Sequence, residues 1–301
     1  MIELKNEKIA IPVVLFAGLL WSFGPLVVRY MDEPGLVPWQ YIFARGLTIF
    51  IVLNLYLFFE EGQNFYKNYL KVGVSGLVGG CGLGIAMITF IYSITNTSAA
   101  VTLLCLAAMP FFTALLGFLF LKEKISFNVW VAIIIATIGI IIIALGNTEK
   151  NSLIGLIFGM TSSIGFSVFS VTLRWRKETP KFTTVAIAGL FCVITALLFI
   201  AINESTILST SYNGAMFSLH GTIVCMGLIL YSIGSKAIPA AELTLLSLTE
   251  VIGGIFWVWL PLFGINEIPS SNTIVGGFFL FMSIIYYSLT IKTNRRFIAL
   301  N

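Results

Sequence analysis

Apolar residues fill the chain in long blocks, and polar residues collect in the short gaps between them. Neither the strict alternation of a half-buried strand nor the one-sided stripe of a soluble helix fits that pattern. Crossing roughly 30 Å of hydrocarbon takes about 20 apolar residues in a helix. Ten blocks reach that length, approximately at 9–30, 39–59, 70–93, 99–121, 127–146, 152–173, 182–202, 213–234, 240–263 and 271–291. Each predicts a membrane-spanning helix, because a helix satisfies its backbone N–H and C=O groups within one segment. The first block follows Lys5 and Lys8 like a signal peptide, but it is long and lacks a small-residue cleavage pattern, so it reads as a retained span.

Composition agrees with this reading. The 301 residues are 58% hydrophobic and 10% charged, with a mean hydropathy of +1.00, against roughly 45–50% and 25% in soluble domains. A soluble fold, a disordered chain and a disulfide-built module are all excluded. The net charge of +4 rests on 17 Lys and Arg too scattered for a nucleic-acid stripe. Fourteen of the seventeen fall at the termini and the even-numbered connections, and only Arg29 and Lys150 fall on the other side. The positive-inside rule therefore puts both termini in the cytoplasm, in a multi-pass protein of the cytoplasmic (inner) membrane. Cys81, Cys105, Cys192 and Cys225 lie in apolar stretches and read as small packing residues. With one histidine and no nucleotide, zinc or nucleophile-elbow motif, the sequence calls for no cofactor or metal and does not read as an enzyme.

The two halves echo each other. Span four opens Ala99-Ala100-Val101-Thr102-Leu103-Leu104 and leads to Lys122-Glu123-Lys124; span nine opens Ala240-Ala241-Glu242-Leu243-Thr244-Leu245 and leads to Asn266-Glu267-Ile268. Gly18 and Gly24 flank Trp21-Ser22 in span one, as Gly159 and Gly165 flank Ser162-Ser163 in span six. The expected organisation is two five-helix repeats, 1–147 and 148–301, neither folding independently. Five is odd, so equivalent helices run in opposite directions. Inverted repeats place a site near the midplane between the halves and permit two mirror-related states. A duplication kept only for stability is the other reading.

Ala100, Pro110 and Glu123 in and after span four, the aligned Glu250 and Glu267 in and after span nine, and Pro38-Trp39-Gln40 with Arg45 in span two form an arrangement that resembles the drug/metabolite transporter superfamily, specifically its ten-span EamA-type group. The resemblance covers essentially the full length. It implies movement of small organic metabolites by alternating access around a central cavity, with spans five and ten peripheral. Val251 replaces the proline that often follows the span-nine Glu, and Ala132 replaces a common Gly, so no helix break is expected in span nine.

Glu250 lies about ten residues into span nine, roughly 15 Å from its cytoplasmic end. A carboxyl at that depth costs about 3 kcal/mol on insertion scales and calls for a cavity or partner. Ser247, Gly253, Gly254 and Trp257 share its side of an unbroken helix, and Ala108 is its aligned counterpart. Three roles stand open: binding an amine or cation, carrying a coupling proton, or a protonated structural contact. Arg45 either snorkels to the headgroups or pairs with Glu250 or a substrate carboxylate. His220 is a proton-relay candidate or a packing histidine. Trp21, Tyr92, Phe111, Tyr231 and Trp257 are candidates for an aromatic cage, each also explicable by packing. Ser163, Ser167 and Ser170 make a span-six stripe that lines a wet path or glues helices. Glycines crowd span three for close helix contact, and Pro25 and Pro110 predict kinks. Glu242 is explained by solvation near the span-nine mouth, and Glu123 and Glu267 by capping or bracing turns.

The functional expectation is a secondary transporter, needing no nucleotide, for an amino-acid-like, zwitterionic or amine-bearing metabolite. Its site residues are Glu250, Arg45, His220, Trp21, Ser163, Ser247, Trp257 and Tyr92. Its partners are that small molecule, membrane lipids and, under proton coupling, protons; it is a monomer or homodimer and binds no nucleic acid. A proton-coupled multidrug exporter is the alternative within transport, and a membrane-embedded enzyme or sensor the alternative outside it.

Overall fold

The structure is a computed structural model that describes residues 6–123, 125–146, 153–176, 178–265 and 271–298. Glu267 and Lys150 therefore lie outside the described residues. Helices follow in the order α1 (Glu7–Trp21), α2 (Gly24–Arg29), α3 (Pro38–Glu61), α4 (Lys67–Lys71), α5 (Gly73–Asn96), α6 (Ala99–Leu106) and α7 (Met109–Leu116). They continue with α8 (Phe127–Gly146), α9 (Leu153–Trp175), α10 (Lys181–Ile202), α11 (Ser211–Gly234), α12 (Ala240–Leu246), α13 (Thr249–Trp259) and α14 (Ser271–Ile298). No strand occurs among the described residues. Eight helical runs are long and apolar enough to cross a membrane, and α8 and α14 hold two shorter apolar runs, Phe127–Ile142 and Ile274–Tyr287.

Three of the eight runs break inside the bundle, and a fourth, Pro38–Lys71, passes from α3 to α4 through the exposed 3₁₀ turn Gly62–Tyr66. Pro25 opens α2 and Pro110 opens α7, each in the first turn, where its missing N–H costs nothing but the preceding helix must end. The third break, at Ser247 and Leu248 between α12 and α13, corrects the expectation for span nine, since it forms with no proline. Leu248 N donates to Leu245 O at 3.2 Å and Glu250 N to Ser247 O at 2.9 Å, tighter i→i−3 bonds in place of i→i−4. The Ser247 hydroxyl donates to Thr244 O at 2.7 Å and competes for the same ladder. Aligned on the breaks, Glu250 corresponds to Pro110, both second in their half-helices, rather than to Ala108.

Packing is closest where glycine faces glycine. α3 lies along α10 and α5 along α9. A Cβ on Gly46 would sit 2.9 Å from Gly189 O, and one on Gly165 would sit 2.6 Å from Gly82 O, so only glycine permits these approaches. α1 lies along α11, while α8 and α14 pack chiefly on each other, pinned by Ser283 Oγ donating to Ala132 O at 2.7 Å. Large apolar side chains such as Phe59, Phe118, Leu198 and Phe278 are exposed on the outside of the bundle, as a lipid solvent requires.

Candidate functional site

A cavity opens where the three interruptions meet. Trp21 is the last residue of α1, Leu106 and Met109 flank the α6–α7 break, and Glu250 follows the α12–α13 break; all four line it. The remaining wall is apolar, from Leu83, Met87 and Phe90 on α5, Phe166 beside Ser162 on α9, and Val224 and Leu228 on α11. It has about 60 Å³ of room for water centres, several times the ~10–15 Å³ that one water needs.

A basic and an acidic side chain face this space. Arg45 on α3 and Glu250 on α13 are 5% and 9% exposed, so Arg45 does not snorkel to a surface. Arg45 Nε and Nη1 are buried with no hydrogen-bond partner among the described residues. Its guanidinium stands 5.6 Å from the Phe90 ring centroid, a cation–π contact that leaves the in-plane N–H groups unused. Neither Arg45 nor Glu250 forms an ion pair among the described residues, although each lies within electrostatic reach of the other. An unpaired buried charge costs several kcal/mol, so the pair favours water or a ligand with complementary charge between them.

His220 and Trp21 reach the same cavity with one edge each committed. Tyr41 hydroxyl and His220 Nδ1 share a hydrogen bond, and Tyr41 stacks on Phe217 with centroids 4.6 Å apart. Gly24 leaves room for the imidazole, because a Cβ there would lie 2.9 Å from His220 Nε2. Trp21 Nε1 donates to Val224 O at 3.1 Å, and its ring lies 5.6 Å from Phe166 and 5.5 Å from Tyr231.

The other four sequence candidates lie elsewhere. Ser163 is buried, with no partner for its Oγ among the described residues, and its neighbour Ser162 takes the cavity face. Ser167 donates to Met109 O at 3.1 Å and Ser170 shares a 2.7 Å bond with Tyr231, so the span-six stripe joins helices. Ser247 bonds within its own turn, and Trp257 donates to Ser22 Oγ at 2.8 Å while stacking on Phe23. Tyr92 packs between Trp39 and Phe158. Phe111 is 45% exposed, so the five aromatics do not form one cage. Phe90, Phe166 and Ser162 were missed; Leu83, Met87 and Phe90 have i, i+4, i+7 spacing, but so do many packing faces.

A second polar cluster seals one end of the bundle. Glu123, just after span four, accepts from Arg174 Nε at 2.6 Å through one oxygen and from Ala240 N, the first residue of α12, at 3.2 Å through the other. Arg174 also donates to Ser235 O at 3.0 Å and Ile238 O at 2.5 Å. Lys181 Nζ donates to Ser235 Oγ at 2.6 Å, and Tyr287 hydroxyl donates to Glu242, which is therefore bonded rather than simply solvated. Among the described residues no three His, Cys, Asp or Glu side chains converge on a metal-sized space.

Residues 8–145 match the EamA-like transporter family. An uncharacterised transporter of Helicobacter pylori is 28% identical over 177 residues, 58% of this chain and 56% of its own length, so the chain spans little more than half of that relative. The pseudopaline exporter CntI of Pseudomonas aeruginosa is 23% identical over 211 residues, 68% of this chain and 72% of its own, and the uncharacterised transporter YdfC of Bacillus subtilis 27% over 218 residues, 68% and 67%. One crystal structure has the same fold, with a TM-score of 0.73 at 17% identity over 96% of this chain and 99% of its own. Over residues 8–145 the chain is similar to EamA-like transporters, and the relatives it matches are named as transporters or exporters.

Proposed function

We propose that this protein is a secondary active transporter that moves a small zwitterionic or amine-bearing metabolite across the cytoplasmic membrane by alternating access. One observation carries the reading: unpaired Arg45 and Glu250 face a single cavity at the junction of three interrupted helices. Interrupted spans and a charged midplane site are how transporters expose polar groups inside lipid. A substrate carboxylate meets the Arg45 fork, an amine meets Glu250, and the apolar wall accepts the side chain. When no amine is bound, Glu250 is the group that takes a coupling proton.

The inverted-repeat organisation, 1–147 against 148–301 with both termini cytoplasmic, is part of the same proposal. Its support is the pairing of helices. Exchanging the halves turns the α5–α9 contact into α11–α1 and the α3–α11 contact into α10–α5, and both members of each exchange occur. The α6–α13 and α7–α12 contacts exchange into each other as an inverted pair must. The Glu123–Arg174 cluster then closes the cytoplasmic end, on the side where Lys and Arg concentrate.

A second reading has a specific observation behind it. Trp21, Phe90 and Phe166 make much of the wall aromatic, which suits a bulky aromatic cation and hence multidrug export. Thermal stabilisation of the purified protein separates the two, because a ligand that binds only the folded state raises its melting temperature. The proposal expects stabilisation by zwitterionic amino-acid-like compounds and its loss in Glu250→Gln. Stabilisation by aromatic cations lacking a carboxylate, with none from zwitterions, favours the second reading. A response to neither class in the wild type rejects the site.

A further inference from the structure

A second cleft lies away from the central cavity, where the α4–α5 junction meets the connection after α9. Lys71, Val72 and Gly73 form one side and Arg176, Glu178 and Thr179 the other, around about 410 Å³ of room for water centres. The local fold holds it open. Gly73, with φ of +59°, turns the chain from α4 into α5, and a Cβ there would lie 3.9 Å from Arg176 Nη1. Ser75 and Thr179 hydroxyls share a 2.5 Å hydrogen bond that ties the two sides together beneath.

Its chemistry is that of an anion receptor with an oily rim. The side chains of Lys71 and Arg176 are exposed, and neither has an ion-pair or hydrogen-bond partner among the described residues, not even the neighbouring Glu178. Lys67 stands one turn before Lys71 on α4 and is also exposed. Arg176 carries its guanidinium 5.9 Å from the Trp175 ring centroid, and Trp175, Tyr66 and Leu70 are 42%, 55% and 83% exposed. Trp and Tyr beside Lys and Arg at helix ends mark the headgroup level of a bilayer, and Leu70 adds an exposed apolar side chain beside them.

We propose that this cleft binds the phosphodiester of an anionic glycerophospholipid, of the phosphatidylglycerol type. Lys71 and Arg176 hold the phosphate oxygens from the two sides, Arg176 as a fork and Lys71 as a point charge. Glu178 accepts from a headgroup hydroxyl, which a choline headgroup lacks. The site joins the start of α5 to the end of α9, the two helices packed closest in the bundle, so an occupied cleft stabilises that pair.

Native mass spectrometry of protein released from mixed phosphatidylglycerol and phosphatidylcholine bilayers tests this without any transport assay. The wild type is expected to retain phosphatidylglycerol over phosphatidylcholine. Lys71→Ala/Arg176→Ala is expected to cut the retained phosphatidylglycerol roughly tenfold, since each cation near the surface contributes separately. The control Lys8→Ala/Lys122→Asn removes two basic residues elsewhere and should leave retention as in the wild type. Equal losses in both double variants, or no lipid preference in the wild type, overturn the site. Thermal stabilisation of detergent-purified wild type by inorganic phosphate, equal to that by short-chain phosphatidylglycerol and absent in Lys71→Ala/Arg176→Ala, overturns the lipid as its occupant.

Discussion

Replacing Arg45 by methionine separates a ligand-binding arginine from a structural one, because the two predict opposite effects on the empty protein. Arg45 is 5% exposed, with Nε and Nη1 unpartnered among the described residues, and its guanidinium makes a cation–π approach to Phe90 at 5.6 Å. Losing that contact costs about 1–2 kcal/mol. Removing an unpaired buried charge recovers several kcal/mol of desolvation, and methionine fills much of the volume. Ligand-free Arg45→Met should therefore melt at or above the wild-type temperature. Binding should collapse instead, since two charge-assisted hydrogen bonds at about 1.5–3 kcal/mol each are worth roughly a hundredfold or more in affinity at 1.4 kcal/mol per tenfold. Thermal melting with and without a stabilising zwitterion reads both quantities in one experiment. Arg45→Met/Glu250→Gln controls for a Glu250 left without its neighbour. A ligand-free melting temperature well below wild type, with the ligand shift intact, refutes the reasoning.

Three further outcomes follow from the geometry. Tyr41→Phe leaves His220 Nδ1 without its hydrogen-bond partner in a fully buried setting, a loss of about 1–3 kcal/mol that appears as a lower melting temperature. Gly46→Leu forces a side chain against Gly189 O at 2.9 Å and Cys192 Cβ at 2.8 Å, and overpacking of about 1–3 kcal/mol or more should reduce yield and melting temperature, whereas Gly214→Ala, with nothing within 4 Å, should change neither. Glu123→Gln weakens the bond to Arg174, whose partners are about a quarter and a fifth exposed. About 1 kcal/mol remains at such a site, a roughly fivefold rise in opening, read as faster labelling of a cysteine placed at Ser162 on the cavity wall.

The sequence exposes what lipid makes expensive and hides what lipid makes cheap. Each of the eight long apolar runs overlaps one of the ten blocks, the second running on past 39–59 to Lys71, because hydrocarbon tolerates no unsatisfied backbone. Arg45, Glu250 and His220 stand out for the same reason, as polar groups at depth, and they face one cavity. The apolar wall is another matter: Phe90 and Phe166 are the same residue types that face lipid or packing elsewhere. Ser163 and Ser162 differ by a rotation of about 100° on a helix, which sequence spacing does not resolve, and Tyr92 lies two residues, about 200°, beyond Phe90. Ser247 shares the Glu250 side only on a continuous helix, and the i→i−3 turn at Ser247 and Leu248 changes that phase, whereas Trp257 lies with Glu250 on α13 but about two turns on, where it meets Ser22 and Phe23. Such a break without proline has no strong signature; the signal present is the Ser247 hydroxyl beside Thr244.

Alternating access of the central cavity is the claim on which the functional account rests, and side-specific labelling of Ser162→Cys measures it directly. With Cys81, Cys105, Cys192 and Cys225 replaced, the single thiol lies on the cavity wall. In oriented vesicles, a membrane-impermeant thiol reagent should reach it from either face in turn, and a bound zwitterion should slow labelling from both. A thiol that reacts from one face only, under every ligand and gradient tried, contradicts the account.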